Sequence, residues 1–144
     1  MRCAHSSTRA HSRLKTRDTL NDSQSSVFDL IGEQGFARLI KAFYAQVPDD
    51  DVLGPMYPKG DLDRAEERLR DFLVYRFGGP PRYIVQRGHP RLRMRHVPFA
   101  IDQRARDRWI QLMERAFEEA ELPQPALDVL RPFLSQTATF MINQ

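Results

Sequence analysis

Residues Arg87–Phe99 read RGHPRLRMRHVPF, a basic string punctuated by proline that carries His89 and His96. It lies within a longer stretch, residues 78–101, that opens on Gly78 and Gly79, is crossed by Pro80, Pro81, Pro90 and Pro98, and shows no sustained apolar period. Links between packed helices usually take about 2–8 residues, and longer aperiodic segments in compact domains are more often functional than idle. The sequence on either side is strongly periodic.

Upstream, Phe36, Leu39, Ile40, Phe43, Tyr44 and Val47 fall at the spacing of one helical face, and Pro48 with Asp49, Asp50 and Asp51 ends the run. Leu62, Ala65, Leu69, Phe72 and Leu73 repeat the pattern up to Arg76, with Asp61 as the expected N-cap and the Gly78–Gly79 pair as the stop. Downstream, Ala105, Trp109, Leu112, Met113, Ala116, Phe117 and Ala120 form a third stripe after Asp102. Leu127, Leu130, Leu134, Ala138 and Met141 form a fourth, opened by Pro123 and Pro125. No segment alternates with period two. The expectation is an all-α domain of four long helices, with shorter helical turns near Val27–Ile31 and Val52–Met56.

With 144 residues, the chain has the length of one domain on the usual prior of about 100–200 residues each. Residues 1–26 hold six Ser, three Thr and almost no large apolar side chain, so they are expected to form a disordered basic tail ahead of a domain at 27–144. Arg2, Arg9, Arg13, Lys15 and Arg17 against Asp18 and Asp22 account for the whole net charge of +3. The body is therefore neutral, and its composition implies neither a nucleic-acid groove nor nucleic acid as a partner. Cys3 stands alone, which excludes a disulfide scaffold, and no apolar run has the ~18 residues of a membrane span. A cytoplasmic protein without membrane association is expected.

Chemistry in this body narrows by elimination. A structural zinc site wants four nitrogen or sulfur ligands, and residues 27–144 offer only His89 and His96 and no cysteine. No histidine and carboxylate recur at the spacing of a di-iron bundle, and no serine sits in a nucleophile elbow. One imidazole does suffice for a haem iron, whose porphyrin supplies the other four nitrogens. Arg68, Arg93 and Arg95 offer cations for two propionates, and Tyr44, Tyr57 and Trp109 offer O–H and N–H donors. Each residue also has a plainer use: a histidine satisfied by a backbone carbonyl, aromatics packed in a core, and arginines on a solvated or phosphate-binding face.

Longer matches favour one of these readings. FYAQV at Phe43–Val47, MYP at Met56–Pro58, AEERLRDFL at Ala65–Leu73, GGP at Gly78–Pro80, RGHPRLRMRHVPF at Arg87–Phe99 and DRWIQLM at Asp107–Met113 resemble the truncated haemoglobins, most of all their group II. The likeness spans about residues 27–143. It implies a truncated globin, a two-over-two helical sandwich in which the four stripes are the B, E, G and H helices, with a short proximal F helix after a long loop. It also implies haem b, since no CxxCH string is present for covalent attachment.

By the same resemblance His96 is the proximal iron ligand, its second ring nitrogen bonded to a backbone carbonyl. Arg68, Leu69, Phe72, Arg93, Arg95, Phe99 and Met113 are then haem contacts, and the distal pocket comprises Tyr44, Tyr57, Ala65, Leu69 and Trp109. Ala65 cannot ligate iron, so a five-coordinate ferrous state follows. Two positions depart from the family's usual pattern: Gly32 is followed by Glu33 where paired glycines are common, and Phe77 stands where tryptophan is frequent. The function implied is binding of O2 and other diatomic ligands such as NO and CO. The alternatives are a haem redox enzyme, an NO dioxygenase or peroxidase-like protein served by an external reductase, and a non-haem helical module gripping an acidic partner through Arg87, Arg91, Arg93 and Arg95.

Overall fold

The computed structural model describes residues 27–144, and the tail expected at 1–26 lies outside the described residues. Helix α1 covers residues 27–46 and runs into two short 3-10 turns, Val47–Asp49 and Gly54–Met56. Then come α2 (Leu62–Arg76), α3 (Arg82–Arg87), α4 (Leu92–Arg95), α5 (Gln103–Ala120) and α6 (Gln124–Phe140). No strand occurs among the described residues.

The stripe on α1 is the innermost part of the molecule: Phe36, Leu39, Ile40, Phe43 and Val47 are all fully buried. Each such side chain contributes about 1.5–3 kcal/mol over leaving it in water. The turn expected at Val27–Ile31 is joined to this helix instead of standing apart. The chain bends at Gly32, whose φ of 63° lies in the left-handed region open to glycine without steric cost. One glycine thus makes the corner, which frees position 33 for Glu33 to pair with Arg82.

Pro48 ends α1 as expected, and the acidic run after it has a defined use. One oxygen of Asp50 accepts from the Val52 and Leu53 amides at 3.0 and 2.8 Å, while the other meets Arg108 on α5 at 2.7 Å. Asp102 caps α5 by accepting from the Ala105 amide at 2.8 Å. Asp61 does not cap α2 with its side chain, because its carboxylate is taken by Arg68, seven residues on, at 2.9 Å.

Two helices cross over two, forming the expected sandwich. Phe43 of α1 meets Trp109 of α5 with ring centres 5.1 Å apart, and Gln46 Nε2 donates to the Leu112 carbonyl at 2.9 Å. Phe72 of α2 and the neighbouring Phe77 meet Phe133 of α6 at 6.4 and 5.0 Å. Arg106 ties α5 to α6 through Ser135 Oγ and Thr139 Oγ1 at 2.8 and 3.1 Å. The aperiodic stretch holds two short helices, α3 and α4, separated around Gly88 at φ 75°, where a single one was expected.

Candidate functional site

The stripes leave one set of apolar side chains only partly covered by the core. Leu69, Trp109 and Ala138 occupy core-facing positions on α2, α5 and α6, yet each is only half-buried, and Phe99 is 36 % exposed. They face a cavity of about 330 Å³. Ten residues expected at the site line it together: Tyr44, Tyr57, Ala65, Arg68, Leu69, Phe72, Arg95, His96, Phe99 and Trp109.

Arg93 and Met113 are not brought there. Arg93 points the other way round α4, its guanidinium carbon 5.5 Å from the centre of the Phe140 ring. Met113, one turn beyond Trp109 on α5, is buried in the helical core instead. Sequence reading missed Tyr83, Leu92, Ile101 and Arg106 as lining, as well as Arg87. Of these, Arg87 and Leu92 carried a signal, as members of the quoted string.

His96 follows the last residue of α4 and is half-buried against the cavity. Its Nδ1 lies 2.6 Å from the Leu92 carbonyl oxygen, one turn back. A carbonyl can only accept, so Nδ1 carries a proton, and in the neutral tautomer that this bond selects Nε2 holds the lone pair that can bind a metal. This same bond fixes the ring's orientation and raises the basicity of the other nitrogen. Among the described residues no three histidine, cysteine or acidic side chains cluster as a metal site, so any metal here rests on one imidazole from the protein.

A second group of polar side chains gathers around Tyr44. Its ring meets Phe43 edge-on at 5.0 Å and Tyr57 at 5.7 Å, and Phe43 in turn touches Trp109. Burial pushes the Tyr44 phenol well above its ordinary pKa, and the neighbouring Tyr57 pushes it further. Burial also raises Tyr57, against an opposing pull from the neighbouring Tyr44 hydroxyl and Trp109 N–H. Both phenols are therefore neutral O–H donors at physiological pH. Ala65 and Leu69 add only hydrocarbon to the same wall.

The arginines divide by what already engages them. Arg95 Nε donates to the Pro90 carbonyl at 2.8 Å and its terminal nitrogen to that of Arg87 at 2.8 Å, so it braces the loop from inside. Arg68 pairs with Asp61, whose carboxyl it holds below the usual range. Arg87 lies over the Tyr83 ring at 6.0 Å. Of the four arginines that an acidic partner would need, Arg87, Arg93 and Arg95 thus already have contacts within the chain.

The donor set fits a haem. A lone imidazole, an apolar slot that side chains leave incompletely filled, and the cations of Arg68 and Arg87 at its lining match a flat apolar group with one metal and two carboxylates.

The chain matches the bacterial-like globin family over residues 26–143. It is 34% identical over 125 residues to the group 2 truncated hemoglobin YjbI of Bacillus subtilis (strain 168), covering 87% of this chain and 94% of that protein. The crystal structure of hemoglobin from Chloroflexus aurantiacus superposes with a TM-score of 0.78 at 43% identity, over 82% of this chain and 98% of that one. The truncated oxygen-avid haemoglobin of Bacillus subtilis superposes with a TM-score of 0.77 at 34% identity, over 81% of this chain and 98% of that one. With its helical sandwich and its single imidazole at the cavity, the chain belongs to the haem-binding bacterial-like globins, among the group II truncated haemoglobins.

Proposed function

We propose that this globin holds haem b through His96 and binds O2, with NO and CO as related ligands, beside Tyr44, Tyr57 and Trp109. When bound, the haem supplies an iron with one coordination position open to a diatomic gas. The observation that carries the reading is the His96 imidazole, with Nδ1 committed to the Leu92 carbonyl and the ring at a cavity that also gathers three neutral donors.

Each residue has a distinct task. His96 offers Nε2 to the metal, and its Nδ1–H bond to Leu92 holds the ring against rotation. Leu69, Phe72 and Phe99 at the cavity lining would keep water from a bound porphyrin, and Arg68 would offer a cation to its carboxylates. Tyr44, Tyr57 and Trp109 are preorganised donors in a water-poor space, where hydrogen bonds to a ligand that accumulates negative charge are strongest. Ala65 and Leu69 carry no atom that can ligate iron, so neither would compete with a diatomic ligand for a bound haem. The oxygen-avid description of the Bacillus subtilis relative supports O2 as the ligand.

Titration of the apoprotein with hemin, followed by reduction and exposure to O2, tests this. One hemin per chain, a ferrous spectrum without a second strong axial ligand, and reversible conversion on adding O2 are expected. A ferrous spectrum of two strong axial ligands, or no response to O2, would overturn it.

A further inference from the structure

The helix that presents His96 cannot hold it by packing. α4 is four residues long, contains no buried residue, and starts from Arg91 in the left-handed region at φ 41° without a side-chain cap. Val97 behind it is 67 % exposed. Something else must fix the histidine and the turn that follows.

A side chain from the far end of the domain does so. Asn143, just past α6, directs Nδ2 to the Phe99 carbonyl at 2.8 Å and to the His96 carbonyl at 3.3 Å. Its Oδ1 accepts from the Ile101 amide at 2.9 Å, and its own amide donates to the Ile101 carbonyl, also at 2.9 Å. One amide side chain thus takes both available faces of the 96–101 turn. It uses a donor where the turn shows carbonyls and an acceptor where it shows an N–H, a match that asparagine makes and aspartate does not.

We infer that Asn143 is a positioning residue for the proximal ligand: it fixes the His96 backbone from the C-terminal side, as Arg95 braces the loop from the N-terminal side, and thereby sets how firmly His96 holds iron. The inference rests on the proposed ligation by His96. Groups that orient a metal ligand from outside its coordination shell usually change metal affinity by about 10- to 100-fold when lost.

Two substitutions separate positioning from general loosening. Asn143→Ala removes both halves of the clamp. Asn143→Asp keeps an acceptor for the Ile101 amide but sets a carboxylate against the carbonyls of His96 and Phe99. Three readouts are used: amide hydrogen exchange of the apoprotein, the iron–imidazole stretching band of the ferrous protein, and the rate of hemin transfer to a scavenger globin. Exchange at Ile101 should quicken in the Ala variant and stay near wild type in the Asp variant. In both, the stretching band should shift and hemin should leave roughly 10- to 100-fold faster. A band and a transfer rate unchanged in both variants would overturn the inference, whatever Ile101 does. If the band is absent from the wild-type protein, ligation by His96 itself fails, a separate result.

Discussion

Gly79→Ala probes the junction between α2 and the loop that leads to His96. A Cβ at this position would stand 2.6 Å from Val74 Cγ1 and 2.7 Å from two ring carbons of Phe28, against an ordinary contact of 3.4–4 Å. Phe28 is half-buried and has room to swing, whereas Val74 is fully buried inside α2 and does not. The backbone cannot back away freely either, since the Gly79 amide donates to the Val74 carbonyl at 2.8 Å. Overpacking of this kind costs about 1–3 kcal/mol, and the lower entropy of the unfolded chain with alanine offsets about 0.4–1 kcal/mol. The net expectation is a loss centred on about 1.3 kcal/mol and at most about 2.6 kcal/mol, read as a lower urea midpoint at constant m-value. Val74→Ala removes the obstructing carbon, so the double variant should lose about 1 kcal/mol less than the two single losses added together. A midpoint for Gly79→Ala at or above that of wild type, or strict additivity with Val74→Ala, would refute the reasoning.

Replacing two cavity-lining donors together, as Tyr44→Phe with Trp109→Phe, should speed O2 release about tenfold or more by stopped flow, since each lost bond is worth about 0.5–1.5 kcal/mol; an unchanged rate would remove these residues from the ligand pocket. Asp50 should contribute to acid sensitivity. Partial burial opposes its charge, but the Leu53 and Val52 amides and Arg108 outweigh that and lower its pKa in the fold. Its stabilisation is therefore full above the unfolded value of about 3.9 and is lost as pH falls through the lower native value; Asp50→Asn should flatten this acid limb in urea titrations. Tyr44 and Tyr57 behave in the opposite sense, because their native pKa values are raised. Ultraviolet titration should show two phenols ionising later than exposed tyrosine, with stability falling as pH rises above about 10 towards their native values.

The four long helices were legible because each carries three or more turns of apolar repeat, enough for a period of 3.6 to declare itself. α3 and α4 were not, for six and four residues cannot establish a period. The same brevity hid the cavity's lower wall, where Tyr83 and Leu92 enter from those two helices. Met113 shows the limit of stripe reading: it shares a face with Trp109, but the cavity ends before the next turn and the side chain packs into the core. Arg93 was expected beside Arg95 as a cation for a propionate, yet on a helix residues two apart diverge, and of the two only Arg95 lines the cavity. Asn143 gave no signal because its partners lie 42–47 residues away and are backbone groups, to which no side-chain pattern corresponds.

The central claim is that one imidazole, at position 96, holds the haem. Hemin titration into wild type and His96→Gly, each with and without free imidazole, tests it most directly. The account predicts one Soret band in wild type, its loss or displacement in His96→Gly, and its return when imidazole fills the space left by the side chain. A His96→Gly spectrum indistinguishable from wild type in the absence of imidazole would contradict it.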